Sequence, residues 1–452
     1  MGTNAASFKA ECFLGLKEKL DSRTATVGVI GLGYVGLPLV HTLHNAEFSV
    51  IGYDTDSSKI KKLSSGISYI QHIPLEVAQS LSLSTSFTPT DNFETLKQCD
   101  VLILCLPTPV GSHNEPDMSF VLSSAKRIAS IMTKGTLVVL ESTTYPGATD
   151  TDMVEVLNES GLTLGSDYFL AYSPEREDPG NVTMHTHEIP KLLGGVDASS
   201  GALAELLYRQ GGFLNVVRVS SARVAECAKL LENTYRAVNI ALVNELKTVF
   251  SSMHVNIWEV LDAAGTKPFG FQRFNPGPGI GGHCIPVDPF YLTWKAKETG
   301  APCGFIELAA LVNAKMPGVV VESVQGALNE VCKSVKGSKI LLLGIAYKGN
   351  VDDIREAPAL VIWENLLDLG ADVKYHDPFV PVVCPTRKHP RLSGERSVGL
   401  DGSADCAGFD AVVLVTNHDR FEEFRFLRGF EGAVIDTRNA IPESLGITII
   451  RA

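Results

Sequence analysis

No Cys-x-x-Cys pair occurs in the 452-residue sequence, and its nine cysteines, an odd number, are scattered from Cys12 to Cys406. That spacing argues against a zinc site or a disulfide framework, and no metal is expected. Basic residues are also in deficit. Thirty-nine Lys and Arg face 51 Asp and Glu, for a formal net charge of −12. An acidic chain has no broad positive field for nucleic acid, so any phosphate-bearing ligand must be small and held locally, at helix N-termini or by a few cations. Uninterrupted apolar runs of bilayer-spanning length are missing too, and the start, MGTNAASFKAEC, lacks the apolar stretch of a secretory leader. Ala6 stands where a myristoylation signal opening at Gly2 wants Ser or Thr. A cytoplasmic chain with neither membrane nor nucleic-acid partner is expected. What is present, 45% apolar and 20% charged residues, fits a globular enzyme of two or three domains.

From Thr26 onward, strand-like runs alternate with helical stretches: TVGVIGLG, FSVIGYD, DVLILCLP, GTLVVLES and YFLAYSPE. Nearly continuous apolar strands separated by helices indicate a parallel sheet covered on both faces. From about Ser221 a single helical pattern runs almost thirty positions without Gly or Pro. It suits a bridge between domains, a subunit interface or a core helix. A Gly/Pro-rich loop, FNPGPGIGGHCIPVDPF, comes next, and further helix extends to about Val335. Strand–helix alternation then resumes with SKILLLGIAYK, ADVKYHDP, DAVVLVTNH and GAVIDTRN. The second series echoes the first: one strand ends in Gly, the next in Asp (Asp54, Asp377), and the third follows an Asp (Asp100, Asp410). The expected fold is therefore α/β, two doubly wound Rossmann-like domains joined by a long central helix. Boundaries are expected at 1–215, 216–330 and 331–452.

Gly31, Gly33 and Gly36 spell G-x-G-x-x-G between a strand and an apolar helix. In that setting the first Gly allows the turn, the second admits a pyrophosphate, and the third lets helix and strand pack closely. Asp54, 23 residues after Gly31, closes the next strand where a carboxylate accepts from ribose hydroxyls, and no Arg is near to receive a 2′-phosphate. NAD is the expected cofactor. The second series keeps only Gly344 of the triplet, so a second dinucleotide is not expected. Lys348 and Arg355 there either meet phosphate groups or form a solvated basic pair.

Cys284 sits between the Gly-rich loop and a helix expected to begin at Asp288, with Pro289 in its first turn. A thiolate is stabilised near a helix N-terminus, which makes Cys284 either a nucleophile or an incidental loop cysteine. Asp288 alone reads as an N-cap. Lys229 and Asn233, four apart, share a helix face and either present a cation and an amide to an oxyanion or are simply solvated.

At this point the chain resembles the UDP-glucose/GDP-mannose dehydrogenase family, through VGVIGLGYVGLPL, CLPTP, ESTTYPG, YSPER, AKLLENTYRAVNIALVNE, PGPGIGGHCIPVDP and GIAYKGNVDDIREAP in order. The resemblance implies an N-terminal NAD domain, a central helix with dimer contacts, and a C-terminal domain that helps bind a UDP-sugar. It implies Cys284 as nucleophile; Lys229, Asn233 and Asp288 for oxyanion and water; Thr143 for the water network; and Glu175 for thioester hydrolysis. Cofactor contacts are expected from Gly31, Gly33, Tyr34, Val35, Gly36, Asp54, Pro107, Thr108, Thr143 and Arg355. Substrate contacts are expected from Glu175, Arg176, Lys229, Asn233, Phe274, Gly281 and Lys348. The implied reaction oxidises a primary alcohol at C6 to a carboxylate, through a thiohemiacetal and a thioester on Cys284, in a homodimer or a multiple of dimers.

The stretches TKPFGFQRFNPGPG and SPEREDPGN, with His283, resemble the branch acting on UDP-N-acetylhexosamines, and UDP-N-acetylglucosamine is the expected substrate. Gln272 and Arg273 depart from that branch, where an apolar residue and Pro are common. Alternatives are UDP-glucose as substrate, or a nucleotide-sugar epimerase holding NAD tightly. The second has no use for a nucleophilic thiol beside an oxyanion site.

Overall fold

The computed structural model describes residues 2–70, 73–111, 113–176, 186–282, 284–386, 388–400 and 406–452. Its backbone gathers into two compact units, 1–232 with 290–301, and 233–289 with 302–452. The boundary falls inside the helix Ala222–Ser252, which runs unbroken for 31 residues as the absence of Gly and Pro predicts.

The first unit is built on eight strands: β1 (Thr26–Ile30), β2 (Ser49–Tyr53), β3 (Phe87–Thr90), β4 (Val101–Leu104), β5 (Thr136–Leu140), β6 (Tyr168–Tyr172), β7 (Lys191–Gly195) and β8 (Val216–Arg218). They lie in the order β3-β2-β1-β4-β5-β6-β7-β8, parallel except where β7 meets β6. β1, β4, β5 and β6 are buried at nearly every position, which their apolar runs require once helices cover both faces. The core gathers Val27, Val29, Val101, Ile103, Leu137 and Phe169 against Leu37, Val40 and Leu43 of the helix Gly36–Asn45.

The second unit carries β9 (Lys339–Leu343), β10 (Asp372–His376), β11 (Ala411–Leu414), β12 (Ala433–Asp436) and β13 (Ile449–Arg451), all parallel in the order β10-β9-β11-β12-β13. The echo read in the sequence is present in the fold. β10-β9-β11 repeats β2-β1-β4, and the glycine after the first strand of each sheet has positive φ, +96° at Gly31 and +73° at Gly344. In each, the next amide donates to the Asp that closes the neighbouring strand: Leu32 to Asp54 at 2.9 Å, Ile345 to Asp377 at 2.7 Å.

The helix Gly304–Glu330 is long and apolar enough, by length and composition alone, to cross a membrane, so the expectation of no such run needs correcting. Its Glu307, Lys315 and Glu322 break the run on paper, yet they are too widely spaced to lower its average. Val320, Val321, Val324, Ala327 and Leu328 of this helix lie in the core of the second unit, the behaviour of a core helix.

Candidate active site

At the turn after β1, a Cβ on Gly31 would stand 2.3 Å from the Cys105 carbonyl, and one on Gly36 would stand 1.8 Å from the Gly31 carbonyl. A Cβ on Gly33 would meet nothing within 4 Å. Packing inside the protein thus requires the first and third glycines, whereas the second leaves open space where a pyrophosphate approaches. Tyr34 and Val35 are half-buried, and Val35 directly precedes the helix Gly36–Asn45. Asp54, 7% exposed, accepts from Leu32 N–H and Lys59 Nζ on one oxygen and from Asp56 N–H on the other. These residues fit NAD.

The carboxyl ends of the neighbouring strands complete this end of the sheet, the place where ligands bind in doubly wound folds. Pro107 and Thr108 follow β4, Thr143 follows β5, and Glu175 and Arg176 follow β6. Thr143 is half-buried, whereas Thr144 is fully buried with its hydroxyl on the Met118 sulfur. The Thr108 carbonyl accepts from the Tyr291 hydroxyl at 2.7 Å. A cavity lined by Val35, Glu175, Arg176, Glu141 and Lys191 brings a cofactor candidate and two substrate candidates together. Glu141 accepts from Lys191 at 2.8 Å and from the Tyr208 hydroxyl. Burial, then the Glu141 charge, pushes the Tyr208 phenol well up, so it donates as a neutral group.

Lys229, 4% exposed, donates to the Glu175 backbone carbonyl, and its ammonium lies 3.8 Å from the Glu175 carboxylate. Arg176 is clamped by Glu232, at 2.7 and 3.2 Å, and by the Pro190 carbonyl at 2.8 Å. Residues 177–185, which hold the rest of SPEREDPGN, and His283 lie outside the described residues.

In the second unit, the Cys284 carbonyl accepts from the amides of Val287 and Asp288, so the cysteine lies in the turn that leads into the helix Asp288–Thr299. The cysteine is partly exposed. Asp288, 1% exposed, accepts from Asn233 Nδ2 at 2.6 Å, and Asn233 is itself buried. Three candidates are therefore joined, through bonds to a backbone carbonyl and a buried carboxylate. A Cβ on Gly281 would stand 2.7 Å from Tyr347 Cβ, and Gly282 N–H donates to the Arg355 carbonyl at 3.4 Å, so this loop packs on the segment after β9. The Arg355 guanidinium is exposed and bidentate on Asp353, and Lys348 is half-buried. Phe274 stacks edge-on against Tyr235, centroids 5.8 Å apart.

Sequence reasoning missed Tyr291, Glu232, Glu141, Lys191 and Asn244. Asn244 accepts Gly277 N–H at 2.9 Å and donates to Asn313, pinning the Gly-rich loop to the long helix. Its one visible signal was an Asn directly after the apolar run Ile240–Val243 of that helix.

A glycine turn built for a dinucleotide, an acid at the end of the next strand, a helix-end cysteine and a second Rossmann-like sheet define an NAD-dependent dehydrogenase acting on a nucleotide-bearing substrate. Three models of the UDP-glucose/GDP-mannose dehydrogenase family match: its NAD binding domain at residues 25–211, its central domain at 223–315 and its UDP binding domain at 341–443. The chain belongs to that family. It is 35% identical to a UDP-N-acetyl-D-glucosamine 6-dehydrogenase of Pseudomonas aeruginosa, over 92% of this chain and 97% of the other. It is also 35% identical to a UDP-N-acetyl-D-mannosamine dehydrogenase of Pyrococcus horikoshii, over 92% and 96%. A solved UDP-D-ManNAc dehydrogenase from Pyrococcus horikoshii superposes with a TM-score of 0.81 at 33% identity, covering 94% of this chain and 98% of that one.

Proposed function

We propose that the chain oxidises C6 of UDP-N-acetylglucosamine to the carboxylate, in the cytoplasm, with Cys284 as covalent relay. The observation that supports this best is the joined set Cys284, Asp288 and Asn233: a partly exposed cysteine in the turn that opens a helix, its carbonyl accepting from the Asp288 amide, and a buried Asp288 carboxylate held by the Asn233 amide. Gly31, Gly33, Gly36 and Asp54, with Tyr34, Val35, Pro107, Thr108, Thr143 and Arg355, would hold NAD, and one NAD for each of the two oxidations would supply the hydride acceptor. Asp288 and Asn233 hold the water that takes the hydroxyl proton in the first, which leaves an aldehyde. The Cys284 thiolate adds to that carbonyl, forming a C–S bond and an oxyanion that the Lys229 ammonium stabilises. Loss of the second hydride gives a thioester. Glu175 orients water onto it, the C–S bond breaks, and the thiolate leaves as the carboxylate forms. Arg176, Phe274, Gly281 and Lys348 orient the UDP-sugar.

Homodimer formation belongs to the same reading. Leu231, Tyr235 and Leu242 of the long helix and Phe305, Leu308 and Leu311 of the helix Gly304–Glu330 are all exposed, with Leu231 at 66% and Phe305 at 71%. Large apolar side chains in such number mark a surface that another chain covers.

A panel of UDP-N-acetylglucosamine, UDP-N-acetylmannosamine, UDP-glucose and GDP-mannose, followed by NADH absorbance, tests the assignment. The highest kcat/KM is expected for UDP-N-acetylglucosamine. Preference for UDP-N-acetylmannosamine or UDP-glucose reassigns the sugar, and turnover of none rejects the reading.

A further inference from the structure

We propose that Lys247, on the long helix, is a substrate-binding residue whose ammonium meets the diphosphate of the nucleotide sugar together with the Arg438 guanidinium. The proposal rests on the UDP-sugar reading above and adds a residue to it. Lys247 is 6% exposed, and its Nζ is buried with no hydrogen-bond partner among the described residues. A cation in that state is costly, and an anion that paired with it would offset the cost.

The surroundings are cationic. Burial first, then the charge of Arg438, lowers the Lys247 ammonium to about 8, with Asp436 opposing. Burial likewise lowers Arg438 to about 10. Asp436 is the acid these two share, and its carboxylate is already engaged: one oxygen accepts Arg438 N–H, the other accepts the amides of Ala440 and Ile441 and the Arg451 guanidinium. One carboxylate thus faces three cations. Two positive charges are left over, which suits a doubly charged diphosphate.

The placement suits a nucleotide as well. Arg438 follows β12, and its Nε donates to the Val415 carbonyl just past β11, at the carboxyl edge of the parallel sheet. A Cβ on Gly277 would stand 2.9 Å from Arg438 Nη1, so the guanidinium lies against the loop that leads to Cys284. Asn244, three residues before Lys247 and so on the same helix face, holds that loop by the Gly277 amide.

Titration calorimetry with UDP and with uridine, on wild type, Lys247→Met and Lys247→Arg, tests this. Losing a charge-assisted contact predicts UDP binding weaker by about 10- to 100-fold in Lys247→Met, uridine binding unchanged, and partial recovery in Lys247→Arg. The thermal midpoint of Lys247→Met should equal or exceed that of wild type, because an unpaired buried charge has been removed. Equal UDP affinity in wild type and Lys247→Met overturns the proposal and leaves the UDP-sugar reading standing, as does an equal loss for UDP and uridine. No UDP binding by wild type overturns both. Should Lys247→Met not fold, Lys247→Gln serves in its place, and failure of both to fold contradicts the proposal by showing that the residue is structural.

Discussion

Single residues carry the chemistry, and the structure says which of them also carry the fold. Lys229 is tied to the Glu175 backbone carbonyl and lies 3.8 Å from the Glu175 carboxylate, so Lys229→Ala removes a donor and takes a cation from a largely buried acid. It should lower kcat by about 100- to 1,000-fold, the usual effect of deleting an oxyanion donor, and cost about 1 kcal/mol or more in urea unfolding. Asp377 behaves differently. Burial works to raise its carboxyl, but hydrogen bonds from His418 and from the amides of Ile345 and Phe379 outweigh burial and hold it below the ordinary value. A carboxyl depressed in the folded state stabilises above its unfolded value near 4 and loses that contribution as pH falls through the folded value. Asp377→Asn should therefore cost about 3 kcal/mol at pH 7, by urea unfolding, and progressively less below pH 4. An equal cost at pH 7 and pH 3 would show that shape, not charge, holds the site. Asp377 holds the place in the second sheet that Asp54 holds in the first. Its oxygens are taken by His418, Phe379 and Val380, as well as by Ile345 and Ala346, which leaves no acceptor for a ribose.

Among elements, the strand–turn–helix at Gly31 was the most legible, because each glycine answers a different physical demand. That difference is testable. Gly33→Ala meets open space and should leave the thermal midpoint within about 2 °C of wild type while weakening NAD binding, whereas Gly36→Ala drives a methyl into the Gly31 carbonyl and should cost several degrees. NAD titration by fluorescence and a thermal scan of both variants read the two effects separately. β1, β2, β4, β5, β6 and β9 to β12 were legible from their apolar runs, and the long helix from its lack of Gly and Pro. β3, β7, β8 and β13 were not. FTPT in β3 contains a proline and two threonines, and β7 ends in two glycines and reverses direction against β6. β8 and β13 are three residues long, too short for an alternating pattern to declare itself. At the site, Cys284, Asp288 and Asn233 stood out through the family resemblance, since by type and spacing alone Asp288 reads as an N-cap and Asn233 as a helix-face amide. Glu232, Asn244 and Tyr291, which hold Arg176, the Gly277 amide and the Thr108 carbonyl, did not, since a polar residue on a helix acquires meaning only from what packs against it.

For the molecule as a whole, two Rossmann-like sheets divide the labour: the first holds the dinucleotide turn, and the second presents the carboxyl edge at which Arg438 stands. The exposed leucines of the two long helices predict self-association. Sedimentation should give twice the monomer mass, and Leu242→Asp with Leu308→Asp should shift it toward the monomer, whereas a monomeric wild type would reject that part of the reading. Everything else turns on whether one thiol carries a four-electron oxidation. With limiting UDP-N-acetylglucosamine and excess NAD, the account predicts two NADH released per sugar consumed, with a carboxylate as product and no completed turnover in Cys284→Ala. One NADH per sugar with an aldehyde as final product, or full carboxylate formation in Cys284→Ala, would contradict it.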